Sequence, residues 1–223
     1  RTPLPPYILA ARRESNLAIP DARDRLRYQT VYASANESGS VAAPTAGLHF
    51  TPRLLAQLDE RGAQRADVVL HVGTGTFRPV ESESLLDHPM HQEWCSMDRE
   101  LAARIVRARE SGAGRVFAVG TTSVRTLESY AALMEPGCPL PVDWPSHMET
   151  RLLISPGFRL RWVEGLLTNF HLPRSTLLAL VAALFEREGE PGSGIKRVRE
   201  LYAEAIRQGY RFYSYGDAML ILP

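Results

Sequence analysis

Apolar residues fall in short blocks along this chain, and the blocks carry two different periods. Leu54, Leu55 and Leu58 recur at helical spacing behind Thr51-Pro52, a capping hydroxyl followed by proline at the first helical position, and Gly62 closes the block. Leu101, Ile105 and Ala108 mark a second amphipathic helix over 98–110, ending at Gly112. Leu127, Tyr130, Ala131 and Met134 mark a third, from about Val124 to Met134. Thr176 to Phe185 is apolar all round, which predicts a buried helix opened by Pro173, Arg174 and Ser175. Val198, Leu201, Tyr202 and Ala205 define an amphipathic helix over 193–208, stopped by Gly209. Short runs at 66–72, 116–119 and 151–155 predict strands; 158–171 predicts a bent strand or hairpin, and the chain closes on an apolar strand. Thr2 to Ile8 is proline-rich and extended, 10–24 an exposed loop, 25–33 a short helix and 35–40 a loop. Residues 1–40 thus form a lead-in segment and 41–223 the core of one domain. Strands alternating with helices predict an α/β fold, a layered α/β/α domain, and the hairpin and closing strand make its β-sheet mixed.

Composition narrows the function classes. Of 223 residues, 44% are hydrophobic and 23% charged, an ordinary globular balance, and the net charge of +1 gives no global field for nucleic acid. The local exception is the arginine-rich opening (Arg1, Arg12, Arg13, Arg23, Arg25, Arg27), partly offset by Glu14, Asp21 and Asp24. Two cysteines, with no CxxC, make no disulfide framework and suit a reducing cytoplasm. No apolar run is long enough to span a bilayer as a helix.

Candidate chemistry centres on RVFAVGTTSVRTLE, Arg115 to Glu128. A buried strand, Gly120, a hydroxyl cluster (Thr121, Thr122, Ser123) and a helix start bring free N–H groups and the positive end of a helix dipole to one point. Arg125 sits in the first turn, where a cation opposes that dipole, so it makes sense facing an anion. The alternative is an ordinary strand-to-helix turn with a good cap. Gly73-Thr74-Gly75 follows the strand at 66–72 and lets a backbone approach a ligand closely. Arg78 and Pro79 come next, without a third glycine or a helix, which excludes a dinucleotide fingerprint. Five of six histidines (His49, His71, His88, His91, His171) adjoin glycine or proline near predicted loop or strand ends, where α/β ligand sites form. His88, His91, Glu93 and Cys95 match no zinc framework, so no metal is assigned. His91 and Glu93 are better read as acid–base groups. Asn169, His171 and Arg174 precede the buried helix, and Tyr213, Tyr215 and Asp217 lie in YSYGDAM. The tyrosines either stack on a base or pack the sheet edge.

The motifs PLPPYI, YQTVYA, VAAPTAGLHFT, LHVGTGTF, HPMHQE, VGTTSVRTLE, SPGF, LLTNFHLPRSTLL and YRFYSYGDAM occur in this order. Together they closely resemble the S-adenosylmethionine:tRNA ribosyltransferase-isomerase family, the epoxyqueuosine-forming enzymes of queuosine biosynthesis, from Pro3 to Leu222. The resemblance implies a main α/β domain with a small inserted β-barrel ahead of PLPPYI, the barrel being largely absent from this chain. It implies transfer and isomerisation of the ribosyl group of S-adenosylmethionine, a co-substrate, onto the 7-aminomethyl-7-deazaguanine of a tRNA wobble position, releasing adenine and methionine. No prosthetic group, metal or membrane is implied, and the chain is expected to be a cytoplasmic monomer with tRNA as partner. His91 and Glu93, then His49 and His171, are expected to move protons. Gly73, Thr74, Gly75, Thr121, Thr122, Ser123 and Arg125 would hold the methionine carboxylate and ribose, and Asn169 and Asp217 would orient adenine or the ribose hydroxyls. Arg12, Arg23 and Arg25 would meet tRNA phosphate. A non-catalytic nucleotide- or tRNA-binding module on the same scaffold is the rival reading. A methyltransferase is the weaker third, since GTGTF lacks a following helix.

Overall fold

The computed structural model describes residues 4–33, 40, 42–73, 84–135 and 137–222. The opening segment is more helical than its prolines predict. Pro6 occupies the start of helix α1 (Pro6–Glu14), where its missing N–H is no loss, so the extended lead-in ends there. Helix α2 (Asp21–Arg27) lies earlier than the helix expected over 25–33. Arg12 of α1 donates both guanidinium nitrogens to the buried Asp24 of α2 at 2.7 Å, which ties the two helices together.

Three later helices begin as their sequences dictate. Thr51 accepts the Leu54 N–H at 3.1 Å to open α3 (Pro52–Glu60). Asp98 accepts the Leu101 N–H at 2.6 Å to open α4 (Arg99–Glu110). Ser175 accepts the Leu178 N–H at 3.2 Å to open the apolar α6 (Thr176–Phe185). Helix α7 (Ser193–Arg207) packs on α6 at Gly194, where a Cβ would collide with the Ala182 carbonyl oxygen.

Among the described residues the strands form two three-stranded sheets. One, in the order β1-β2-β4, is antiparallel throughout: β1 (Val69–His71), β2 (Glu93–Ser96) and β4 (His147–Thr150). The other is mixed, as expected: β3 (Phe117–Val119) runs parallel to β5 (Gly165–Asn169), and β6 (Ala218–Ile221) antiparallel to it. Two strand expectations are corrected. The strand predicted at 151–155 forms at 147–150, where alternating exposed and half-buried residues suit a sheet edge. The apolar Leu152 and Ile154 that prompted it pack against the core without joining a ladder. Of the bent strand or hairpin predicted over 158–171, the strand alternative fits better, but only Gly165–Asn169 pairs, as β5. The chain entering it is fixed by the buried Glu128 carboxylate, which accepts the N–H groups of Arg161, Trp162 and Val163 at 2.7, 2.9 and 2.8 Å.

Helix α5 (Thr121–Ala131) contacts strands of both sheets and carries the most heavily buried sequence among the helices. Val124, Leu127, Tyr130 and Ala131 pack with Cys95, Met97, Ile105, Leu166 and Ile221 in the core. Tyr130 is fully buried, accepts the Met97 N–H at 3.2 Å, and has its phenol pushed up to about 12 by that burial. No helix among the described residues is long and apolar enough to cross a membrane.

Candidate functional site

The start of α5 is built by Gly120, whose φ of +87° turns the chain from β3 straight into the helix. Its N–H remains tied to the neighbouring strand through the Leu167 carbonyl at 2.8 Å. A side chain with a Cβ is strained at that φ, so glycine is required. The hydroxyls expected to cap the helix lie inside it: Thr121, Thr122 and Ser123 are its first three residues, and Ser123 Oγ donates backward to the Val119 carbonyl at 2.8 Å. Among the described residues no side chain caps the helix, which leaves its dipole end and first amides without that partner. The turn Thr45–His49 reaches the same place, with Ala46 packed close to Gly120.

One turn into α5, Arg125 does face an anion, and the anion is internal. In β2, alternation turns Glu93 and Cys95 inward and Trp94 outward. The Arg125 guanidinium donates through Nη1 to Glu93 Oε2 and through Nε to the Leu152 carbonyl at 3.1 Å. Glu93 Oε1 accepts the Gly73 N–H at 3.3 Å. The Arg125 and Glu93 side chains are 6% and 1% exposed, so the pair is desolvated and costs free energy that each charge offsets for the other. Arg125 Nη2 is buried with no hydrogen-bond partner among the described residues. This donor is the unspent part of the arrangement.

A second cluster forms where β5 ends. Asn169 is buried, accepts the Thr45 hydroxyl at 3.0 Å, and directs its amide nitrogen to the Asp217 carbonyl and to His49 Nε2, each at 3.4 Å. A carbonyl only accepts, so the Asp217 contact fixes the amide's orientation. His49 Nε2 is therefore the acceptor in that contact. The Asp217 carboxylate itself closes its own loop, accepting the Arg211 N–H at 2.8 Å and guanidinium at 2.7 Å. Arg211 holds that carboxyl below the usual carboxylate range, and its main-chain oxygen, not the carboxylate, reaches Asn169. His171 Nε2 pairs with Thr168 Oγ1 at 2.8 Å, its N–H donates to Tyr202 Oη at 3.0 Å, and burial pulls its imidazole down to about 4. It is uncharged at neutral pH.

Not every candidate converges. His91 is exposed ahead of β2 while Glu93 is buried under Arg125, so neighbours in sequence have opposite environments. Thr74 and Gly75 lie outside the described residues. His71 and His147 flank the Trp94 ring at 4.8 and 5.6 Å across the β1-β2-β4 sheet. Arg12 is tied to the buried Asp24 with its side chain mostly covered, which corrects the expectation that it stands exposed for phosphate; Arg25, in a surface pair with Asp21, and Arg23 are exposed. Thr45 and Tyr202 escaped sequence reasoning. A lone threonine in a loop and a tyrosine on a helix's apolar stripe carry no local signal of the partner they meet. Among the described residues, no group of three or more His, Cys, Asp or Glu side chains could hold a metal ion.

Known proteins give this arrangement a family. The model of the queuosine biosynthesis protein family matches residues 1–221. S-adenosylmethionine:tRNA ribosyltransferase-isomerase from Gloeobacter violaceus is 54% identical over 100% of this chain and 55% of its own length. The protein of that name from Paraburkholderia phytofirmans is 50% identical over 99% of the chain and 57% of its own length. The crystal structure of S-adenosylmethionine tRNA ribosyltransferase from Thermotoga maritima superposes with a TM-score of 0.60 at 43% identity, covering 80% of this chain and 51% of that one. The chain thus spans little more than half the length of these relatives. With the family model matched from Arg1 to Ile221 and half the residues shared with its relatives, this chain belongs to the queuosine biosynthesis protein family.

Proposed function

We propose that this chain forms the catalytic α/β body of an S-adenosylmethionine:tRNA ribosyltransferase-isomerase acting in the cytoplasm. It moves the ribosyl group of S-adenosylmethionine onto the aminomethyl group of a 7-deazaguanine at the tRNA wobble position, and adenine and methionine leave. The names of its relatives support the reaction class. The structural observations that support it are the first turn of α5, which has no side-chain cap, and, one turn on, the Arg125 Nη2 donor left without a partner among the described residues.

The reaction sets four demands. A base must remove a C5′ hydrogen acidified by the sulfonium, the amine must attack as free base, adenine must be hydrogen-bonded as it leaves, and water must be excluded. In our assignment the amides of Thr121, Thr122 and Ser123, with Arg125, hold the methionine carboxylate or the ribose edge. Glu93 serves by fixing Arg125, not by carrying a proton. His49 presents Nδ1–H to the leaving adenine, and Asn169 holds that tautomer. His171, kept neutral by burial, positions the end of β5. His91, at the surface, is the candidate base.

Product analysis with S-adenosylmethionine and tRNA carrying the aminomethylated base tests this. Release of adenine and methionine in equal amounts is expected. S-adenosylhomocysteine would show methyl transfer instead, and tRNA binding without either product would show a non-catalytic module.

A further inference from the structure

The turn Thr45–His49 is held at several points, and its residues meet different parts of the fold. Thr45 Oγ1 donates to Asn169 Oδ1 at 3.0 Å, and His49 Nε2 lies 3.4 Å from the amide nitrogen of the same Asn169. Ala46 is buried beside Gly120. Gly47, midway between Thr45 and His49, meets the segment 28–33. A Cβ on Gly47 would come within 1.9 Å of Tyr32 Oη, 2.8 Å of Tyr32 Cζ and 2.9 Å of Thr30 Cγ2. Gly47 is not among the glycines with positive φ, so its backbone conformation is open to other residues. The close approach of Tyr32 is what requires glycine there.

The segment that carries Tyr32 is itself anchored. Tyr28 donates its N–H to the Asp24 carbonyl at 2.7 Å where α2 ends, its side chain is buried, and its ring meets Tyr215 edge-on at 5.6 Å. The Ala33 N–H bonds the Thr30 carbonyl at 3.3 Å, a tight turn with Tyr32 at its third position. Thr30 is buried and Tyr32 half-buried. Burial, and after it Asp67, raises the Tyr32 phenol, so the tip of the ring meets Gly47 uncharged. A tyrosine ring turns about only two bonds, and set on an anchored turn it makes a stiff strut. Its load falls on the backbone at Gly47, and that backbone carries Thr45 on one side and His49 on the other.

Resting on the ribosyl-transfer reading above, we infer that Tyr32 is a positioning residue for the candidate site: its phenol braces the turn at Gly47 and so holds Thr45 and His49 against Asn169. The test is heteronuclear NMR of the His49 ring nitrogens in the full chain, with the kinetics of adenine release from S-adenosylmethionine and tRNA carrying the aminomethylated base. Asn169→Leu gives the signature of a released ring. Tyr32→Ala should carry the His49 shifts most of the way to those values, and Tyr32→Phe, which keeps the ring, should bring them most of the way back. Gly47→Ala drives a methyl against the phenol and should also displace them. In the double variant Tyr32→Ala, Gly47→Ala the methyl has room, and the displacement should be smaller than in Gly47→Ala alone. In Tyr32→Ala kcat should fall about 10- to 100-fold, the cost of a misplacement of about 1 Å, with KM for S-adenosylmethionine unchanged. Wild-type His49 shifts in Tyr32→Ala or in Gly47→Ala overturn the brace. Displaced shifts with wild-type kcat overturn its use in catalysis. A wild-type chain that releases no adenine, while its variants shift His49 as described, overturns the ribosyl-transfer reading and leaves the brace standing.

Discussion

Replacing Arg125 by methionine removes the charge while keeping most of the side chain's length and apolar stem. Arg125 is 5% exposed and Glu93 3%, so the substitution takes the guanidinium away from a desolvated carboxylate. Breaking such a pair from one side costs about 3–5 kcal/mol, whereas replacing both partners by uncharged groups of similar volume is close to neutral. Arg125→Met should therefore lose about 3–5 kcal/mol, and Glu93→Gln with Arg125→Met should recover most of it, a coupling of at least about 2 kcal/mol. Urea unfolding followed by circular dichroism measures each corner of the cycle at neutral pH. The double variant also separates folding from function, because it restores the core and still lacks the Nη2 donor. It should fold and fail to bind S-adenosylmethionine. Additive single costs, or a loss below about 1 kcal/mol in Arg125→Met, would refute the ion pair as the support of this region.

Four further outcomes follow from named contacts. Glu128→Ala strips the acceptor from three amide groups at 161–163 and should cost about 3 kcal/mol or more in urea unfolding, through the buried donors left unsatisfied. Asn169→Leu releases His49 and Thr45, and turnover should fall about 100-fold with tRNA affinity retained. The folded His171 imidazole, held down to about 4 by burial, lies below its unfolded value near 6.5, so the unfolded chain takes up the proton first. Its contribution to stability is complete above about pH 6.5 and is lost as pH falls towards 4; His171→Gln should flatten the stability profile in that window and nowhere above it. Gly194→Ala drives a methyl into the Ala182 carbonyl, and separation of α6 from α7 should cost about 1–3 kcal/mol, read as a lowered Tm.

Where local chemistry decides structure, the chain was legible. Thr51, Asp98 and Ser175 each bond the amide three residues on, and the helices they open start where expected. Helices α1 and α5 misled for one shared reason. A proline run predicts extended chain and a hydroxyl cluster predicts a cap, but here the flanking backbone makes the turn: Pro6 starts α1, and Gly120 leaves Thr121 to Ser123 inside α5. Strand β4 was displaced because Leu152 and Ile154 are apolar for packing and not for pairing. At the candidate site, an anion opposite Arg125 could be read from its place near a helix N-terminus, although α5 starts at Thr121 and leaves Arg125 one turn in. That Glu93 answers it could not, because the contact is made only when β2 packs against α5. Likewise His49, His171 and Asn169 could be picked out singly, but their common ground at the end of β5 arises from the fold.

The central claim is that the start of α5 receives the sulfonium nucleoside, and a crystal structure of the chain soaked with S-adenosylmethionine tests it most directly. The account predicts the methionine carboxylate or ribose edge within hydrogen-bond distance of the Thr121–Ser123 amides and Arg125 Nη2, with His49 on the adenine side. A nucleoside seated elsewhere in the fold, with Arg125 Nη2 still unpartnered, would contradict it.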